Sequence, residues 1–130
     1  MAGEAVLIVD DNLTNLKLVK VLLLSEGYQV RTAVNAEEAL QALREFRPGL
    51  ILMDIQLPGM DGLTLTRQIK ADPNTAAIPV VALTAYAMKG DHEKALASGC
   101  SGYITKPVDT RIFAKQVHGF LYAGVGDGAF

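Results

Sequence analysis

Five short apolar runs constrain this chain most: VLIV (6–9), YQV (28–30), LILM (50–53), VVAL (80–83) and GYI (102–104). Most are unbroken rather than alternating. A strand that is apolar at every position is buried on both faces, which is the condition of a parallel sheet covered by helices. The segments between the runs have helical spacing. Ala36, Ala39, Leu40, Leu43 and Phe46 form one stripe, opened by the cap candidate Asn35 with Glu38 three residues on. Leu13, Leu16, Val19 and Leu23 form a second, with Gly27 as its stop. Phe113, Val117, Phe120 and Leu121 line the last. This β-α alternation, repeated five times, predicts an α/β fold: a doubly wound, five-stranded parallel sheet with right-handed crossovers and helices on both faces.

A chain of 130 residues, half of them apolar, is sized for one domain with a real core. Its 12 basic and 14 acidic residues leave a formal charge of -2, so there is no basic stripe to hold nucleic acid. The start, MAGEAVLIVDD, lacks a basic n-region and its apolar run is stopped by two acids, so it does not read as a signal peptide. No apolar stretch approaches the roughly 20 residues of a membrane span. The single cysteine, Cys100, forms no internal disulfide; it reads as a packed residue in a reducing, cytoplasmic protein. The expected layout is one domain over 1–122 and a flexible Gly-rich tail, AGVGDGAF, over 123–130.

In doubly wound sheets the site lies outside the carboxyl ends of the strands, where strand order reverses. The first run ends in Asp10-Asp11, the third in Asp54, the fourth in Thr84-Ala85 and the fifth in Thr105-Lys106-Pro107. The second ends in Arg31-Thr32, which is expected to lie away from the site. Three carboxylates, a hydroxyl and an ammonium thus meet at one edge. Carboxylates so close repel unless a cation joins them. A partial set of oxygen ligands suits Mg²⁺, with Mn²⁺ or Ca²⁺ able to substitute. Asp54 then reads as ligand and nucleophile together, facing a phosphoryl group whose charge Lys106 and Thr84 help to hold. Pro58, Gly59 and Gly62 turn the chain sharply after Asp54 and leave its carboxylate uncovered. Taken singly, each residue has an ordinary reading too: Asp11 as a helix cap, Lys106 as a solvated charge, Thr84 as a strand residue. Asp61 reads as a turn or cap residue, and His92 and His118 as helix-surface residues.

The motifs VDD (9–11), MDIQLPGMDG (53–62), LTA (83–85) and YITKP (103–107), with their spacings, resemble a response-regulator receiver domain of the CheY-like family of bacterial two-component signalling. The resemblance covers residues 4–122. It implies strand order 2-1-3-4-5. It implies Asp54 as phosphoacceptor, with Asp10, Asp11, Asp54 and the main-chain carbonyl of Gln56 as metal ligands. Thr84, Ala85 and Lys106 are then the phosphate-contacting residues, and Thr84 and Tyr103 the switch pair. Pro107, after a cis bond, joins Pro58 and Gly62 as structural residues. Gln56 and Tyr86 fall where receivers vary. The function implied is a Mg²⁺-dependent switch that accepts phosphate from a histidine kinase or phosphotransfer protein. It signals to a protein through the face of helix 4, strand 5 and helix 5, without nucleic acid or membrane, as a monomer or weak dimer.

The resemblance implies no enzyme beyond self-phosphorylation and dephosphorylation. A haloacid-dehalogenase-type phosphatase carries a second Asp two residues after the nucleophile, where this chain has Gln56. A flavodoxin-like carrier needs a Ser/Thr/Gly phosphate loop, where this chain has DDNLTN. A stand-alone regulator is the expected form, and a receiver cut from a hybrid kinase or larger regulator the alternative.

Overall fold

The computed structural model describes residues 4–57, 59–84 and 89–122, without the side chains of 89–92. The expectations for Pro58, Ala85, Tyr86, His92 and the tail 123–130 therefore lie outside the described residues.

The elements alternate in chain order: β1 (Ala5–Val9), α1 (Leu13–Ser25), β2 (Gln29–Ala33), α2 (Ala36–Glu45), β3 (Leu50–Asp54), α3 (Gly62–Ala71), β4 (Val80–Thr84), α4 (Lys89–Ala97), β5 (Gly102–Thr105) and α5 (Phe113–Tyr122). The strands form one parallel sheet in the order β2-β1-β3-β4-β5, as the resemblance implies. Every residue of β3 and β4 is buried, which accounts for their unbroken apolar runs.

The pleat sends alternate residues to two cores. Leu7, Val9, Ile51, Met53, Val80 and Ala82 pack with Ala36, Ala39 and Ala42 of α2, Leu65 and Ile69 of α3 and Ala95 of α4. Val6, Ile8, Leu50, Leu52, Val81, Leu83 and Ile104 pack with Leu16, Val19 and Leu23 of α1 and Phe113 and Val117 of α5. Helices thus cover both faces. Cys100 is buried in the first core.

The helix ends follow their sequence signals. Asn35 accepts from the Glu38 N–H at 2.8 Å, while the Glu38 carboxylate takes the Val34 N–H at 2.9 Å. Gly27 has φ 89° and sits in a paired C-terminal turn, with Gly27 N–H to Leu24 O at 3.0 Å and Tyr28 N–H to Leu23 O at 3.2 Å. Two expectations shift. Strand β2 starts one residue later and runs through Ala33, because buried Tyr28 belongs to the α1 stop. Leu13 is 67% exposed and does not belong to the core stripe of α1. Val21 and Leu24 are exposed as well, so that helix is apolar on its outer face too. Phe46 closes α2 as its C-terminal cap and lies beneath the Arg31 guanidinium at 5.4 Å, where cation–π attraction holds the ring.

Candidate functional site

The sheet register builds the site. Val9 pairs with Met53, so Asp10 and Asp54 leave adjacent strands at one level. Asp54 pairs with Leu83 and Thr84 with Thr105, which brings Lys106 to the same edge. This edge contains the β1/β3 boundary, where the direction of winding reverses, the place at which sheets of this kind bind their ligands.

Asp10 and Asp54 are buried and Asp11 is exposed. One carboxylate oxygen from each lies within 4.8 Å of the others. The Lys106 ammonium stands 3.2 Å from Asp54 Oδ2 and 3.4 Å from Asp10 Oδ2. Thr84 is buried at the end of β4, and its carbonyl accepts the Lys106 N–H at 2.7 Å. The Lys106–Pro107 bond is cis, as expected. Asp54 Oδ1 accepts the Gln56 N–H at 2.9 Å, which fixes the start of the turn beyond β3.

That turn depends on two glycines for different reasons. Gly59 has φ +80°, a backbone region that favours glycine. Gly62 instead sits against backbone. A Cβ there would lie 2.2 Å from the Asp54 carbonyl oxygen and 2.7 Å from Ile55 Cα. The Gly62 N–H donates to Ile55 O at 3.1 Å, which ties the start of α3 to the strand end carrying Asp54. Asp61 is the N-cap of α3, accepting from Thr64 N–H at 2.8 Å, and so takes the cap role the sequence suggested.

Burial pushes the Asp54 carboxyl up to about 6. The Gln56 N–H works against this rise, the Asp10 charge adds to it, and the Lys106 ammonium opposes it. A carboxylate cluster with one ammonium and an exposed third acid is an electrostatic arrangement a hard cation would relieve. The all-oxygen donor set fits Mg²⁺, and Asp10, Asp11 and Asp54 are the residues that would hold it.

Sequence reasoning missed two residues here. Asn12, not Asp11, caps α1, accepting the Asn15 N–H at 3.0 Å. The Asn12 N–H and the Asn15 carboxamide both donate to Asp10. The signal was the pair of asparagines in DDNLTN, spaced as cap and third helical residue. Tyr103 lies on β5, 38% exposed. His118 is on the surface of α5 with its ring 4.6 Å from that of Tyr122.

Comparisons with known proteins agree with this geometry. Residues 6–118 match the family described as "Response regulator receiver domain". The chain is 45% identical over 118 residues to the polar-differentiation response regulator DivK of Brucella anthropi, covering 91% of this chain and 96% of that one. It superposes with TM-score 0.83 and 34% identity on the receiver domain of a sensor histidine kinase from Pseudomonas aeruginosa PAO1, a structure with a magnesium ion in its active-site cleft. That match covers 92% of this chain and 98% of the other. The chemotaxis response regulator CheY4 of Vibrio cholerae matches with TM-score 0.84 and 27% identity, over 91% and 97% of the two chains. On the match of residues 6–118 and the likeness to these regulators and receivers, this chain belongs to the response regulator receiver domain family, the phosphorylation-dependent switches of two-component signalling.

Proposed function

We propose that Asp54 is the phosphoacceptor. The observation that carries this reading is its position: a buried carboxylate at a strand end, 3.2 Å from Lys106 and clustered with Asp10 and Asp11. The donor is the phosphohistidine of a sensor kinase or phosphotransfer protein. An Asp54 oxygen forms the new P–O bond as the P–N bond to the imidazole breaks, and the imidazole leaves with the electron pair and takes a proton from solvent. Asp10, Asp11, Asp54 and the Gln56 carbonyl would hold Mg²⁺, which when bound would supply positive charge to the phosphoryl oxygens. Lys106 and Thr84 hold those oxygens. The chain's only chemistry is on itself, gaining and then hydrolysing the acyl phosphate. We place it in the cytoplasm with its kinase; no described helix is long and apolar enough to cross a membrane. The test is transfer from a phosphorylated histidine phosphotransfer domain with Mg²⁺: label should move to the wild-type chain and stay on the donor when Mg²⁺ is chelated.

Lys106 acts on the phosphoryl group more than on the cation, because an ammonium and Mg²⁺ repel. Lys106→Ala should leave the Mg²⁺ dissociation constant within about threefold, since it removes one repelling charge at partly solvated range. It should slow phosphoryl uptake by about tenfold or more, the scale of losing one electrostatic contact to the developing charge. Calorimetric Mg²⁺ titration beside acetyl phosphate kinetics checks both. Loss of Mg²⁺ binding in a folded variant would reassign Lys106 to the metal.

The output is a protein contact on the α4–β5–α5 face, where Leu96, Tyr103 and Ile112 are exposed. The phosphoryl group on Asp54 draws Thr84 inward and shifts a two-state equilibrium, and Tyr103 turns into the space vacated. Tyr103→Ala should abolish the phosphorylation-dependent change in partner affinity while Asp54 labels normally. A partner captured by pull-down whose phospho-dependence survives Tyr103→Ala would place the output elsewhere.

A further inference from the structure

We propose that Asn15 is a positioning residue that fixes Asp10 and so decides how Lys106 is shared between Asp10 and Asp54. The proposal rests on the reading of this cluster as the phosphoacceptor site. Asp10 is fully buried, and its contacts divide unevenly between its two oxygens. Oδ1 accepts the Asn12 N–H at 2.9 Å. Oδ2 accepts the Asn15 carboxamide at 2.5 Å and lies 3.4 Å from the Lys106 ammonium. The same ammonium is nearer to Asp54 Oδ2, at 3.2 Å. A cation between two carboxylates moves toward the one whose lone pairs are less engaged. Asn15 engages Asp10 with a neutral donor, so it satisfies a buried oxygen without adding positive charge beside the metal site. Lys106 is thereby left closer to Asp54, where the phosphoryl group arrives.

Asn15 is itself held. Its N–H donates to Asn12 Oδ1 at 3.0 Å, the cap that starts α1, so the first helical turn aims the carboxamide back at Asp10. Without that carboxamide the nearest replacement for the lost donor is Lys106. An ammonium drawn onto Asp10 would blunt that acid toward Mg²⁺ and leave the phosphoryl position less supported. Partners of this kind, one bond removed from the ligating or reacting group, typically change affinity or rate by about 10–100-fold.

The test compares Asn15→Ala, Asn15→Gln and Asn15→Leu, each alone and combined with Lys106→Ala. The readouts are Mg²⁺ affinity by calorimetry, phosphorylation rate with acetyl phosphate, and thermal unfolding. Asn15→Ala is expected to weaken Mg²⁺ binding and slow phosphorylation by about tenfold each, with the fold intact. Asn15→Gln, which keeps the amide, should recover most of both. In the Lys106→Ala background the Asn15→Ala effect should shrink to about twofold or less, because no ammonium remains to be redistributed. Should Asn15→Ala unfold, Asn15→Leu keeps the side-chain volume and lacks the donor, and the same comparison is made with it. Values within twofold of wild type, or an equal loss with and without Lys106, would overturn the proposal and leave Asn15 a structural donor. Failure of the underlying reading has a different signature: Asp54→Asn would then still accept phosphate.

Discussion

Asp54→Asn is expected to reduce Mg²⁺-dependent phosphoryl uptake from acetyl phosphate to background and, in metal-free buffer, to make the protein more stable. The loss of uptake follows because the amide has no carboxylate oxygen to form the acyl phosphate, while the shape of the site is kept. The Gln56 N–H bond at 2.9 Å can still be accepted by the amide oxygen. The gain in stability follows from burial. A carboxyl raised from the ordinary value of 3.8 to about 6 binds its proton more tightly in the folded state. Its favourable contribution is complete below the ordinary carboxylate range and is lost as pH rises through about 6. At pH 8 the folded chain therefore bears a desolvated charge that asparagine lacks. Asp11 is exposed and the Lys106 side chain is 19% exposed, so solvent reaches the cluster and the relief is about 1–2 kcal/mol rather than the full value of the shift. Urea unfolding in chelator at pH 8 and pH 4.5 measures it, and the advantage of the variant should fade at the lower pH. An advantage that is equal at both pH values, or absent, would mean that the site does not strain the Asp54 carboxylate. With saturating Mg²⁺ the order should reverse, because a ligand that binds the folded state stabilises the wild type more.

Gly62→Ala is expected to cost more stability than any other single methyl addition in the turn. The added Cβ would meet the Asp54 carbonyl oxygen at 2.2 Å and Ile55 Cα at 2.7 Å, both backbone atoms that have no rotamer to escape into. The start of α3 must move off the end of β3, with a cost of about 3 kcal/mol or more, the upper end for overpacking. Asp54 sits on the strand end that would be displaced, so phosphoryl uptake should fall as well. Gly59→Ala is the control. Gly59 has φ +80° but open space around it, so alanine there costs only the backbone strain of about 1–2 kcal/mol. Urea midpoints for the two variants decide the matter. Equal losses would show that conformation, and not the close approach, fixes glycine at position 62.

Much of the fold could be read from the chain because its signals are local. Unbroken apolar runs marked β3 and β4, since both faces of those strands are covered. The acids and the lysine were legible because each lies within two residues of the end of an apolar run, and strand ends are where this class of fold gathers its chemistry. The bounds of β2 were less clear. Tyr28 is apolar and buried but belongs to the turn after α1, while Arg31 and Thr32 lie within the strand. Leu13 matched the α1 stripe in spacing, but the core is reached only from Leu16 onward. A helix with leucine and valine on its outer face gives no contrast for periodicity to use. Asn15 escaped notice because its role is a bond across five residues that exists only once α1 has formed. The need for glycine at 62 depends on how closely α3 approaches β3, and no spacing in the sequence contains that distance.

The most direct measurement is the position of the phosphate itself. The chain is treated with acetyl phosphate and Mg²⁺, quenched in acid, digested and sequenced by tandem mass spectrometry. The expected result is one phosphate per chain, labile to hydroxylamine and carried by Asp54. Phosphate on any other residue, or none on a folded protein that binds Mg²⁺, would contradict it.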